Sequence, residues 1–180
     1  KSGSWLAADL FIECKDVEVI TDGVSQGKPC APDNNQYGAD VFADNVIVKF
    51  SYEAITRPAT TVEVVYDVSN TGRITVSVLY KGIQGLPELP VFGLRFIMPT
   101  PADKYLYKGL SGETYPDRMA GAVKGVYEID DLSLTPYLVP QECGMRMDTD
   151  WLEVIRHTSL NNSRMDSSAQ TLRIEKNDNT

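Results

Sequence analysis

The sequence is poor in the residues that carry covalent and metal chemistry: three cysteines and a single histidine in 180 residues. Cys14, Cys30 and Cys143 cannot all pair internally, and none stands at Cys-x-x-Cys spacing, which disfavours both a disulfide framework and a zinc site. A reducing, cytoplasmic setting is the expectation, and there the sequon Asn161-Asn-Ser163 is coincidental. His157, on the run Trp151-Leu-Glu-Val-Ile-Arg-His157, lacks the neighbours of a triad or a metal site and reads as structural or solvent-facing. Asp130-Asp131 and Asp148-Thr-Asp150 are not followed by EF-hand spacing, so they are expected to be solvated turns. Neither a metal nor a cofactor is expected.

Basic clusters are missing too. Seventeen Lys and Arg stand against 25 Asp and Glu, giving a formal net charge of −8 and a pI near 4.6. Such a surface repels a phosphate backbone or an anionic membrane, so neither nucleic acid nor membrane is an expected partner. No apolar run approaches the roughly 20 residues that cross a bilayer. The opening Lys1-Ser-Gly-Ser-Trp-Leu has no signal-peptide h-region. There is no initiator Met, and the final Lys176-Asn-Asp-Asn-Thr180 is polar, so both ends are expected to be cuts in a longer chain.

What is present is a foldable β-rich pattern. An apolar fraction of 42% and a charged fraction of 23% suit one globular domain spanning residues 1–180. Residues 4–13 place Trp5, Leu6, Leu10 and Phe11 at helical spacing behind a Ser cap, which predicts one short N-terminal helix. Beyond it, β-branched runs at 17–21, 45–56, 61–68, 73–80 and 91–98 predict strands. Later strands are expected at 104–108, 126–129, 136–139, 144–148, 151–157 and 171–175. Asp22-Gly23 signals a hairpin, Arg57-Pro58 and Asn70-Thr-Gly72 are turns, and residues 25–44 are loop. About twelve strands exceed what one open sheet usually holds, so the pattern predicts an all-β chain with two packed sheets.

Two segments carry most of the remaining information. Gly109-Leu-Ser-Gly-Glu-Thr-Tyr-Pro-Asp-Arg118 puts Glu113, Tyr115, Asp117 and Arg118 on one sharply turned loop, because Gly109 and Gly112 permit unusual backbone and Pro116 fixes φ. Thr135-Pro-Tyr-Leu-Val-Pro-Gln-Glu-Cys-Gly144 follows, with Arg146 just beyond. Paired charges that tie down a loop, or a corner between strands, would explain both segments without any ligand.

In that order the segments resemble the β-galactosidases of glycoside hydrolase family 2, whose C-terminal large-sandwich domain reads roughly Gly-x-Gly-Pro-x-Glu-x-Tyr-x-Asp-Arg and then Tyr-x-x-Pro-Gln-Glu-x-Gly. Some members encode that domain as a separate small subunit. The resemblance runs from Trp5 through Trp151 and weakens beyond Thr158. It implies an antiparallel two-sheet supersandwich of the galactose mutarotase-like type, and a chain from the middle of that domain. It also implies a partner, the large catalytic subunit or domain, and a galactoside substrate met through the complete enzyme.

Glycoside hydrolysis needs two carboxyl groups about 5–5.5 Å apart for retention, or about 6.5–9.5 Å for inversion. The best pair here is Glu113 with Glu142. In the family both catalytic glutamates lie on the barrel, so the resemblance implies no catalytic residue in this chain. Glu113, Tyr115, Asp117, Arg118, Tyr137, Gln141, Glu142 and Arg146 are then candidates for sugar contact or for an interface. Aromatic faces pack on pyranose rings, which brings in Tyr115 and Tyr137, while Trp5 and Trp151 open apolar runs and read as core. Two rival functions remain at this stage: a carbohydrate-binding module, and a mutarotase-like aldose isomerase with His157 and Glu142 as its acid and base.

Overall fold

Alternation of apolar and polar residues becomes real two-faced sheets in the structure, a computed structural model that describes residues 2–28, 40–98, 100–130, 143–158 and 170–177. Nine strands occur among the described residues, in two antiparallel sheets. The chain divides into two compact units, residues 1–94 and 95–180, with one sheet in each. The expected all-β class with two antiparallel sheets is what the chain adopts.

The first unit holds β1 (Glu13–Thr21), β2 (Val24–Gly27), β3 (Asn45–Ala54), β4 (Thr60–Ser69) and β5 (Ile74–Lys81), in the order β2-β1-β3-β4-β5. Register places Val17, Phe50, Val64 and Val78 in one row, with Val19, Val48, Tyr66 and Val76 in the row beside it. Side chains two apart share a face, so these rows make one apolar surface, with Phe50 edge-on to Tyr66 at 5.9 Å. The other face carries Glu18 against Lys49 and Glu63 against Lys81. The β1–β2 turn is of the primed kind: Asp22 and Gly23 have φ of 47° and 80°, which suits the twist of a two-residue hairpin. Asp22 Oδ1 also accepts the Asn45 N–H at 2.8 Å, fixing the entry to β3.

The second unit holds β6 (Lys104–Leu110), β7 (Lys124–Ile129), β8 (Trp151–Arg156) and β9 (Gln170–Glu175), ordered β7-β6-β8-β9. Tyr127, Tyr107, Leu152 and Ile174 form one apolar row, and Ile129, Tyr105, Val154 and Leu172 the next. Tyr107 and Val154 are its most buried members, at 2% and 4% exposure. This face opens into a cavity of about 630 Å³ lined by Phe96, Met98, Tyr105, Leu152, Val154 and Ile174. The opposite face is charged: Arg173 donates to Glu153 at 2.6 Å and to Glu175, and stacks 4.4 Å over Trp151.

Four expectations differ, the first being residues 25–27, read as loop, which pair with β1 as part of β2. The predicted helix at 4–13 is a 3-10 turn, Ser2–Trp5, followed by turns. A ten-residue helix nucleates poorly unless an apolar stripe is covered. Here Leu6, Leu10 and Phe11 stay exposed, and Ala7 takes a left-handed φ of 59°, which costs about 1–2 kcal/mol. Residues 91–98 make no strand, since their apolar run finds no ladder partner among the described residues. Residues 144–148 do not join a ladder either; their polar groups bond to the 110–114 segment instead. The expected strand at 136–139 lies outside the described residues.

Candidate functional site

The end of β6 and the segment leading into β8 are brought together because the chain must cross β6 to pass from β7 to β8. Close approach begins at Gly109, where a Cβ would stand 2.9 Å from Thr149 Oγ1 and 3.2 Å from its Cα. Glycine admits this contact; a larger residue forces backbone apart. Beyond it, Leu110 N–H donates to Met147 O at 3.1 Å and Thr114 N–H to Met145 O at 2.9 Å. Thr114, 3% exposed, returns a bond by accepting Met147 N–H on Oγ1 at 2.8 Å.

Glu113 closes the junction. Its Oε1 accepts the Gly144 N–H at 2.7 Å and the Tyr115 hydroxyl. That hydrogen bond to the Glu113 carboxylate holds the Tyr115 proton, and with desolvation and then the carboxylate charge pushes the phenol up to about 12. Arg118 lies 4.5 Å over the Tyr115 ring, and its backbone exchanges two hydrogen bonds with that of Tyr115. Asp117 points outward at 80% side-chain exposure, 3.7 Å from the Arg118 guanidinium. Arg146 donates from Nη1 to Met145 O at 3.2 Å and sits 5.9 Å over the Tyr107 ring, whose hydroxyl donates to Leu110 O at 3.0 Å. The buried Arg146 Nε has no hydrogen-bond partner among the described residues.

Lys124, at the start of β7, braces the far side. Its Nζ donates to Asp148 O at 2.9 Å, Asp148 Oδ2 at 2.8 Å and Asp150 Oδ1 at 2.7 Å, around an Asp148 of positive φ. These bonds raise the ammonium, while Lys124 and then Lys108 hold the Asp150 carboxyl low. Away from this junction, His157 pairs with Asp103: the His157 N–H donates to Asp103 Oδ2 at 2.6 Å, and Nδ1 lies 2.8 Å from the same oxygen.

Of the residues singled out from the sequence, Glu113, Tyr115, Arg118 and Arg146 therefore belong to one junction, with Asp117 on its outer rim. Tyr137, Gln141 and Glu142, and with Glu142 the proposed carboxylate pair, lie outside the described residues. Sequence reasoning passed over Thr114, Tyr107, Thr149 and Lys124. Thr114 gave no signal, lying just past a bend and not in a strand. Lys124 gave none, being isolated in sequence from the aspartates it joins. Chemically, Glu113 Oε1 is engaged by two donors, which suits a carboxylate that fixes backbone rather than one that shuttles protons.

A family model described as the β-galactosidase small chain matches residues 2–179. The β-galactosidase small subunit of Latilactobacillus sakei is 55% identical over 162 residues, covering 90% of this chain and 51% of that protein. A β-galactosidase of Clostridium acetobutylicum is 38% identical over 93 residues, 51% of this chain and 10% of its own. β-Galactosidase BgaC of Bifidobacterium adolescentis is 33% identical over 157 residues, 84% of this chain and 13% of its own. The chain thus spans about half the length of the small subunit it resembles and a small part of the longer enzymes.

Proposed function

Because this chain belongs to the β-galactosidase small-chain family, we propose that it is a non-catalytic part of a β-galactosidase, acting with a larger, barrel-bearing subunit on terminal β-D-galactosides such as lactose. Its role is to complete and brace the partner's active site, and the free thiol of Cys14 fits a cytoplasmic assembly.

The observation that carries this reading is the use made of Glu113. Glycosidases work with a pair of carboxyl groups, one of which must be able to give up a proton or attack carbon. Here the carboxylate oxygen that faces the junction already receives a backbone N–H and a phenol. A group held in this way stiffens a surface and leaves the chemistry to residues on another chain.

The test is an assay with a chromogenic galactoside. The purified chain alone is expected to give no hydrolysis above buffer, and a larger β-galactosidase subunit freed of its small subunit is expected to regain activity when the complete small subunit is added. Turnover by the isolated chain would overturn the proposal.

A further inference from the structure

We propose that residues 3–12, together with Val91 and Phe92, form the apolar docking surface for the larger β-galactosidase subunit; this rests on the reading above that such a partner exists. The arm is seated by one end only. Trp5 Nε1 donates to Pro87 O at 3.2 Å, its ring lies edge-on to Tyr80 at 6.1 Å, and Tyr80 meets Phe92 at 6.2 Å. Backbone bonds from Leu10 and Phe11 to Ala7 O coil the rest of the arm beside that anchor.

The packing inside the arm faces the wrong way for a self-contained element. Ala8 is its buried residue, while Leu6 is 80% exposed, Leu10 72% and Phe11 63%; Val91 and Phe92 stand at 73% and 54%. Side chains of this size leave on the order of 600 Å² of apolar surface across the arm and the Val91–Phe92 segment that Tyr80 links to it, at the top of what a soluble monomer keeps in a single patch. A standard interface buries about 800 Å² on each partner, so the patch supplies the dry centre of one and needs only a polar rim in addition. The exposed charge within the arm is Asp9, and the whole chain carries −8, so the surface fits an apolar groove with basic residues at its edge.

The test uses the complete small subunit that contains this chain. Leu10→Asp and Phe11→Asp are compared with Leu79→Asp, a change at a 53%-exposed leucine on β5. Sedimentation with the larger subunit gives the Kd, and galactoside hydrolysis at saturating small subunit gives kcat. The arm variants are expected to raise the Kd by about tenfold or more with kcat at saturation unchanged, while Leu79→Asp leaves both as they were. Unchanged binding by the arm variants overturns the proposal. So does a lowered melting temperature of the free arm variants, which would assign the patch to the interior of the small subunit itself, or a loss of self-association, which would assign it to a second copy. Failure of the unaltered small subunit to bind the larger one at all removes the underlying functional reading, and this proposal with it.

Discussion

The two sheets share one strand pattern and differ in what is gathered where the chain crosses its first strand. In the first, β1 lies between β2 and β3, and the chain that crosses it is tied at the β1–β2 turn, where Asp22 Oδ1 accepts the Asp44 and Asn45 N–H groups. In the second, β6 lies between β7 and β8, and the chain has to pass across it before the centre of the sheet is complete. That crossing is where Glu113, Thr114, Gly144 and Arg146 meet. The first crossing is closed by a turn carboxylate, whereas the second gathers loops from distant parts of the sequence and holds them at a fixed distance.

The comparison can be broken at the centre of the second sheet. Tyr107→Ala is expected to cost about 3–5 kcal/mol, as for other buried aromatics. Amide exchange should then quicken through β6–β9 while β3 and β4 keep their protection. Equal loss in both sheets would show that they unfold as one.

A smaller effect is expected from Gly109→Ala, about 1–3 kcal/mol, because the new Cβ would meet Thr149 Oγ1 at 2.9 Å and, beside it, backbone that cannot swing away, the Thr149 Cα at 3.2 Å and Met147 O at 3.3 Å. Thermal unfolding measures it. A variant that melts with the native protein would show that the crossing yields as easily as a hairpin turn.

The smallest change is spectroscopic. Tyr115 is raised from 10.0 to about 12, so the contribution of its protonated hydroxyl is complete below pH 10 and is lost as the pH rises through about 12. In Glu113→Gln the charge that opposes ionisation is gone, and one tyrosine should move down toward the ordinary range in the near-ultraviolet tyrosinate band. An unchanged titration would separate Tyr115 from Glu113.

What could be read beforehand was what neighbouring residues settle among themselves. The hairpin at Asp22-Gly23 and the strands on either side of the Asn70-Thr-Gly72 turn were legible, since turn chemistry and period-two alternation are local. Residues 91–98 were read as a strand on an apolar run alone, but a strand needs a neighbour, and no sequence window shows one. Residues 4–13 had helical spacing without a covering surface. At the junction, Glu113 and Tyr115 stood out as polar groups on a glycine-flanked bend. Thr114 and Lys124 were hidden because their partners, Met147 and Asp148, come from the far side of a crossing.

The placement of β6 also sets an order of events during synthesis. β1 takes β2 on one side and waits for β3 on the other, after which β4 and β5 add in turn as the chain leaves the ribosome. Tyr107 waits in the same way, half clothed by Tyr127, until Leu152 emerges to cover its other flank. For the length of that delay the second sheet presents an aromatic row with an open edge, and it is there that a nascent-chain chaperone has the most to protect.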